Sequence, residues 1–225
     1  EHNAAAIQRM ATGTYMSAGQ ICMALKRLYV HRSRYDELVG AFTAAAGRYV
    51  VGDGLDPRVT MGPVNNQRRH ESMRDMVAEA RARGGEVREV GTVADECVFA
   101  RGYFHRPTIV LTADSSLRVV REEQFAPVLP IIPFSDEREA IRLANDSELG
   151  LCSSVWSRDR ERALRVARQL EAGYTYLNGH GALAQDFRAP FGGFKQSGIG
   201  RNLGYEGVLE FQEYHSISAP AGWLL

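Results

Sequence analysis

The sequence predicts an α/β fold in which a mostly parallel, open sheet is covered by helices. Four segments with helical hydrophobic periodicity are interspersed with five short segments rich in β-branched and aromatic residues. Such a succession implies crossover connections, which make paired strands parallel. The 225 residues are 44% hydrophobic and 24% charged, which fits an ordinary soluble domain and excludes a disordered or collagen-like chain.

Two long helices are predicted in the first half of the chain. The first covers residues 34–49, and Ser33 with Asp36 forms a helix start signal. The second covers about 66–83 and ends at the pair Gly84 and Gly85. Both have one apolar face, formed in the first by Tyr35, Leu38, Val39, Phe42 and Ala46 and in the second by Met73, Met76, Val77 and Ala80.

Two further helices are predicted in the second half. One covers 136–145 with Ser135 as its candidate cap, and the other covers 158–171 and ends near Gly173. The five predicted strands cover residues 28–31, 108–111, 128–134, 151–156 and 174–178. Ligands of parallel sheets lie beyond the carboxyl ends of the strands, so the loops that follow strands are the first candidates for a site.

The last residues, 206–225, are predicted to form a helix end and then a strand at 213–218. An apolar strand without a local partner pairs readily with another subunit, because an unpaired strand edge is a liability. The alternative is a frayed terminus, which is the ordinary behaviour of chain ends.

Charge and cysteine content exclude several classes of function. Lys plus Arg equals Asp plus Glu at 27 each, so no basic excess favours nucleic acid as a partner. Three widely spaced cysteines form neither a disulfide framework nor a metal site, which favours a reducing, cytoplasmic location. No apolar run is long enough for a membrane span. The chain starts with Glu1 and without a signal peptide, so it is expected to begin within a longer protein.

Cys22 is the candidate nucleophile because it alone among the cysteines lies in a Gly-containing loop, with the small residues Ser17, Ala18 and Gly19 shortly before it. Such a loop brings a substrate close to a thiol and directs backbone N–H groups at a developing oxyanion. The alternative is that Cys22 is a small buried hydrophobe, as free cysteines often are. Cys97 and Cys152 are expected to be such hydrophobes.

Two other segments are candidates for ligand contact. In residues 121–127, the Glu123 carboxylate could accept two ribose hydroxyl bonds while Phe125 packs on a ring, or the charges could be solvated and Phe125 a core residue. The glycine-rich segment 190–201 could be a structural turn or a loop closing over a ligand. Its glycine spacing does not fit a dinucleotide-binding fingerprint, and no strand directly precedes it.

The ordered set of motifs resembles that of the NAD(P)-dependent aldehyde dehydrogenases over about residues 1–218. The matching motifs are Gly19-Gln20-x-Cys22, Gly102-Tyr103-Phe104 before Pro107-Thr108, Glu122-Glu123-x-Phe125-x-Pro127, Asn178, and Pro190-Phe191-Gly192-Gly193-x-Lys195-x-Ser197-Gly198-x-Gly200-Arg201. Ala126 and Asn202 depart from the family pattern, which usually has Gly and Glu there.

The resemblance implies a catalytic domain at 1–205 and, at 206–225, a helix end with an oligomerisation strand. It makes Cys22 the nucleophile that forms a thiohemiacetal and then a thioacyl enzyme with an aldehyde. Binding of NAD or NADP would involve Glu123 and Phe125, with Arg69 as a further contact. The substrate pocket would include Gln20, Ile21, His180 and Phe191, with no metal. The expected assembly is a homo-oligomer, a dimer or tetramer.

In this family the cofactor-binding domain, an oxyanion-binding Asn and a general-base Glu precede the segment that matches this chain. The 225 residues alone are therefore expected to lack dehydrogenase activity. Two alternatives follow: an esterase-like remnant that uses the same thiol, or a non-catalytic assembly module.

Overall fold

The computed structural model describes residues 4–223; residues 1–3 and 224–225 lie outside the described part of the chain. Its longer helices are α1 (Ala4–Tyr15), α2 (Tyr35–Ala46), α3 (Gln67–Ala82), α6 (Glu137–Asn145) and α7 (Arg160–Ala167), and its short ones α4 (Glu96–Phe99), α5 (Arg118–Arg121) and α8 (Gly204–Leu209). The strands are β1 (Leu28–His31), β2 (Val50–Val51), β3 (Glu86–Glu89), β4 (Thr92–Val93), β5 (Thr108–Leu111), β6 (Val128–Phe134), β7 (Leu149–Gly150), β8 (Cys152–Val155), β9 (Tyr174–Leu177) and β10 (Phe194–Lys195).

The main sheet has four strands in the order β1-β6-β5-β3. Strand β6 is parallel to both β1 and β5, while β3 pairs antiparallel with β5 at one edge. Strands β8 and β9 form a separate parallel pair. The predicted α/β fold with a mostly parallel sheet is confirmed, and β3 is the antiparallel addition that the sequence reading missed.

Two apolar clusters cover the two faces of the main sheet. One joins α1 and α2 to the sheet through side chains such as Tyr15, Phe42 and Ile131, all essentially inaccessible to solvent. The other joins α3 and α5 to the opposite face through Met73, Val119 and Ile132. Strand β6 contributes to both clusters because successive side chains of a strand point to opposite faces.

Helix starts differ from the sequence expectation at two places. Ser33 does not cap α2; residues 32–34 form a 3-10 turn instead, and the His31 side chain accepts a hydrogen bond from the Ser33 N–H. Asp136, not Ser135, caps α6, since its side chain accepts from the Glu139 N–H. Ser135 and Asp136 both have short side chains that can accept hydrogen bonds, but Asp136 stands directly before the first turn and reaches its free N–H groups.

The helices α2 and α3 match the predicted segments, and α3 has Asn66 as its N-cap. The fourth predicted helix, 158–171, is shorter in the structure because α7 ends at Ala167. Residues 213–218 form no strand within the described chain, and all six are exposed. Their pairing with another subunit stays a prediction.

Candidate active site

The loop that presents Cys22 follows α1 and has an unusual backbone. Ser17, Ala18 and Gly19 are three consecutive residues with positive φ, at 52°, 55° and 71°. Non-glycine residues adopt this left-handed conformation only at a cost in free energy, so the surrounding structure must hold it in place. The consequence is a tight reversal that leaves Cys22 exposed.

Gly19 allows this loop to lie directly on the backbone of Ala126. A Cβ atom at position 19 would lie 2.7 Å from the Ala126 carbonyl carbon and 3.2 Å from the Thr14 carbonyl oxygen. Only glycine permits this approach. The loop of Cys22 and the segment containing Glu123 and Phe125 are therefore neighbours in space, although about 100 residues separate them in sequence.

Gln20 bridges the cysteine loop to another loop. Its Nε2 donates to Ser17 O at 3.0 Å and to Pro63 O at 3.2 Å, and its Oε1 accepts from the Asn65 N–H at 2.7 Å. All of these partners are backbone groups. Gln20 therefore holds the cysteine loop in place. It is not among the residues that line the cavity described next.

A cavity of about 550 Å³ opens beside the cysteine loop. Ile21 and Met23, the two neighbours of Cys22, line it together with residues of α1 and of the loop after β9. Most of the lining side chains are apolar or small, and Arg9 carries the one permanent charge among the lining residues of the described chain. The cavity has the size and lining of a small-molecule pocket.

His180 forms part of the cavity wall and is 7% exposed. Its Nδ1 lies 3.1 Å from Ser154 Oγ, and its ring packs against α1, where a Cβ at Gly13 would lie 3.3 Å from His180 Cδ2. Burial lowers the pKa of His180 to about 4, although the nearby backbone of Met23 and Ala24 opposes the shift. His180 is therefore neutral at physiological pH.

Glu123 and Phe125 belong to the segment that contacts the cysteine loop at Gly19, and they are not among the residues that line the cavity. Glu123 is exposed, and none of the ion pairs within residues 4–223 uses its carboxylate. Phe125 has a positive φ of 47°. Arg69 donates to Glu123 O at 3.3 Å and to Gln124 O at 3.4 Å, and its guanidinium lies 5.9 Å from the centroid of the Phe125 ring.

Lys26 is the site residue that sequence reasoning missed. Its Nζ donates to Gly19 O at 2.7 Å and lies 4.9 Å from the centroid of the Phe125 ring. Burial lowers the pKa of the Lys26 amine to about 8, with Glu123 opposing the shift and Arg69 adding to it. The sequence offered one signal for it: arginine is the usual basic residue of this chain, and Lys26 is one of its only two lysines, with Lys195.

Phe191 and Asn178 connect neighbouring segments of the chain, and Asn178 also lines the cavity. Phe191 forms an isolated antiparallel bridge with Asn202 and packs on Tyr174 with ring centroids 5.8 Å apart. It is not among the residues that line the cavity. Asn178 has a φ of 53°, and its side chain exchanges two hydrogen bonds of 2.9 Å with the backbone of Ser157.

The other two cysteines differ from each other. Cys152, in β8, is half-buried, and burial raises the pKa of its thiol to about 12. Cys97 is exposed in α4, so the expectation that it is a buried hydrophobe is wrong. Cys97 lies in the first turn of that short helix, where the Asp95 side chain accepts from the N–H groups of both Cys97 and Val98.

The structure also bears on metal binding and on membranes. Within residues 4–223, no group of three or more His, Cys, Asp or Glu side chains is arranged to hold a metal ion. Over the same part of the chain, no helix has both the length and the apolar character needed to cross a membrane.

Comparison with known proteins identifies the family. The model of the aldehyde dehydrogenase family matches residues 2–217. The chain belongs to the aldehyde dehydrogenase family. The resemblance drawn from the cysteine, Glu123 and glycine-rich motifs is thereby confirmed.

Three relatives illustrate the match. Geranial dehydrogenase of Castellaniella defragrans is 37% identical over 213 residues, which cover 95% of this chain and 43% of that protein. A Mycobacterium tuberculosis aldehyde dehydrogenase solved with NAD+ is 36% identical with a TM-score of 0.89, covering 98% of this chain and 44% of that one. A mutant aldehyde dehydrogenase C of Pseudomonas syringae, solved with NAD+ and octanal, is 32% identical with a TM-score of 0.87, covering 97% and 44%. The chain thus spans less than half the length of each.

Proposed function

We propose that this aldehyde dehydrogenase chain supplies the nucleophile of an NAD(P)-dependent oxidation of an aldehyde to a carboxylic acid, and that Cys22 is this nucleophile. The observation that carries the proposal is the position of Cys22. It is an exposed thiol on a constrained loop, and both of its sequence neighbours line a cavity of about 550 Å³. Cys97 and Cys152 lack this combination.

The chemistry proposed for Cys22 divides the oxidation into two steps. Its sulfur attacks the aldehyde carbon to form a thiohemiacetal, and loss of hydride leaves a thioacyl enzyme that water hydrolyses. The Cys22 amide is available to stabilise the developing oxyanion, because none of the hydrogen bonds within residues 4–223 uses its N–H.

Glu123 and Phe125 are the proposed contacts for the nicotinamide side of the cofactor, which accepts the hydride when bound. The fit rests on two features. The Glu123 carboxylate is exposed and free of ion pairs within the described residues, so it can accept two ribose hydroxyl bonds. The Phe125 ring lies 4.9 Å from Lys26 Nζ, which donates to Gly19 O on the cysteine loop, and this supports a cofactor contact near the proposed nucleophile.

The cavity supports an aldehyde with an apolar chain as the substrate class. Ile21, Met16 and Leu177 line it, and the buried His180 is neutral at physiological pH. A hydrophobic wall with a few polar groups binds an apolar chain and orients its polar end. Ile21 and His180 are the proposed substrate contacts, and Gln20 and Phe191 are proposed to shape the pocket through the loops they hold.

Cysteine-selective labelling tests the proposal. Substoichiometric iodoacetamide should modify Cys22 faster than Cys97 and Cys152, measured by peptide mass spectrometry. Cys97 is a matched control because it is also exposed. Equal rates at Cys22 and Cys97, or a faster rate at Cys97, would argue against a nucleophile at position 22.

Ester hydrolysis tests the same thiol without a cofactor. We expect the 225 residues alone to hydrolyse p-nitrophenyl acetate slowly, since acyl transfer to a thiol requires no hydride acceptor. Cys22→Ser should abolish this turnover, whereas Cys97→Ser should leave it unchanged. Turnover that persists in Cys22→Ser would exclude Cys22 as its source.

A further inference from the structure

Lys26 connects the two loops of the candidate site through its side chain. Its Nζ donates to Gly19 O at 2.7 Å on the cysteine loop and lies 4.9 Å from the centroid of the Phe125 ring on the other loop. The first contact is a charge-assisted hydrogen bond and the second a cation–π contact, and both strengthen when partly shielded from water.

The Lys26 backbone is connected to the same segment. Gln124, which is 1% exposed, donates from Nε2 to Lys26 O at 3.2 Å and also to Val119 O. Both ends of the lysine residue therefore contact the segment 119–125. This double attachment is more than a surface lysine makes, since exposed lysines usually keep their ammonium group in water.

Both loops need an external constraint. Ser17 and Ala18 on one loop and Phe125 on the other have positive φ values without being glycine. Such conformations persist only where surrounding contacts hold them. Lys26 lies between these strained segments and contacts both.

We infer that Lys26 is a positioning residue that holds the loop of the nucleophile and the loop of the cofactor-side aromatic ring in one arrangement. The inference rests on the proposed function, because it assigns Lys26 a role toward Cys22 and Phe125. In this role Lys26 touches neither substrate nor cofactor; it acts through Gly19 O and the Phe125 ring.

The charged surroundings of Lys26 give the arrangement a pH dependence. Because the pKa of the amine is lowered to about 8, the ammonium group loses its proton near that pH and both contacts weaken. The titratable and charged groups that interact with it are Glu123, Arg69, Cys22, Cys152 and His180. Glu123 favours the protonated amine and Arg69 disfavours it.

Hydrogen exchange measured by mass spectrometry tests the positioning role in the 225-residue chain. In Lys26→Met, amides of both loops, residues 17–25 and 123–127, should exchange about tenfold faster at pH 7, as loss of a charged hydrogen bond and a cation–π contact implies. Lys26→Arg should keep exchange within about twofold of wild type, because it restores a cation.

Lys195→Met is the matched control and should leave both loops unchanged, since Lys195 pairs with Glu171 elsewhere. Unchanged exchange in Lys26→Met, or faster exchange in one loop only, would overturn the inference.

The pH dependence of the exchange protection factors separates positioning from a merely structural role. In wild type and in Lys195→Met, the protection of residues 17–25, corrected for intrinsic exchange, should fall as the pH rises through about 8, where the Lys26 amine loses its proton. In Lys26→Met it should be low and without this step, and the same step in that variant would overturn the inference. If Lys26→Met fails to fold, Phe125→Leu removes the aromatic ring and keeps the lysine. This variant should also speed hydrogen exchange in residues 17–25. Unchanged exchange there would contradict the inference that Lys26 connects the two loops. Should Cys22 show no labelling preference in wild type, the proposed function fails while the exchange data still decide the role of Lys26.

Discussion

Gly19 and Ala126 are in direct backbone contact: a Cβ atom at Gly19 would lie 2.7 Å from the Ala126 carbonyl carbon. This contact brings the Cys22 loop against the segment of Glu123 and Phe125. It explains why a residue without a side chain stands at position 19, whose φ is +71°. The candidate site depends on it, because any side chain here would separate the two loops.

Gly19→Ala should therefore destabilise the chain and separate the loops. A left-handed alanine and a clash with fixed backbone atoms together imply a loss of about 2–4 kcal/mol in the free energy of unfolding. Urea denaturation followed by circular dichroism measures it. Gly40→Ala is the control, because Gly40 lies exposed in α2 with open space around it and should gain up to about 1 kcal/mol. A loss at position 19 no larger than 0.5 kcal/mol (about the size of an ordinary surface substitution) would refute the close-contact argument.

Cys152 should be labelled much more slowly than Cys97. The thiolate is the reactive form, and burial raises the pKa of Cys152 to about 12, whereas Cys97 is exposed. At pH 8 we expect at least about a tenfold difference in iodoacetamide labelling, read from tryptic peptides. In guanidinium chloride the two rates should converge because burial is lost. Equal rates in the native chain would show that Cys152 is accessible.

The sequence predicts the centre of the fold better than its edges. Strands β1, β5 and β6 have the predicted bounds because their residues form nearly continuous apolar runs, as buried parallel strands do. Strand β3 was missed because its sequence, Glu-Val-Arg-Glu, lies at the sheet edge with charged residues. The two-residue strands β2, β4, β7 and β10 arise from tertiary pairing and leave no periodic pattern to detect.

The candidate site, like the fold, was predictable from the sequence only in part. A loop of small residues next to a cysteine pointed to Cys22 from local sequence alone. Contacts between distant residues were not predictable from periodicity: Lys26 meets Phe125 across 99 positions, and Gly13 meets His180 across 167. These depend on how helices and sheet pack, which a pattern of apolar residues does not specify.

The C-terminal segment should mediate self-association. Its large apolar side chains are highly exposed in the single chain, with Phe211 at 90%, Tyr214 at 87% and Ile217 at 87%. Several large, exposed apolar groups within one short segment favour an interaction surface. Deleting residues 213–225 should shift the sedimentation coefficient from that of an oligomer to that of a monomer.

A second variant tests whether self-association depends on the apolar side chains of the segment or on its length. Replacing Tyr214 and Ile217 with Ser keeps the full chain and removes two large apolar groups of the deleted segment, and it should give the same monomer. An oligomeric state that survives both changes would contradict the assembly role of residues 213–218.

Two histidines, the buried His180 and the half-buried His105, should make stability depend on pH between about 6.5 and 4. Burial lowers the pKa of His105 and of His180 to about 4 each, from 6.5 in the unfolded chain. In that window the unfolded state binds more protons than the folded state, so the free energy of unfolding falls as the pH falls. The contribution of each histidine is complete above about pH 6.5 and is lost toward pH 4, by up to about 3 kcal/mol. The carboxyl groups of Asp56 and Asp186, whose pKa values are lowered from 3.8 to about 2, reduce stability mainly below this window.

Urea denaturation at pH 7 and pH 4.5 measures this difference. His180→Gln and His105→Gln should each remove about half of the pH-dependent loss, since glutamine keeps a hydrogen-bonding side chain for Ser154 or Thr108 and does not titrate. The double variant should be almost independent of pH in this window. A double variant that loses as much stability as wild type on acidification would show that other groups, not these two rings, take up the protons.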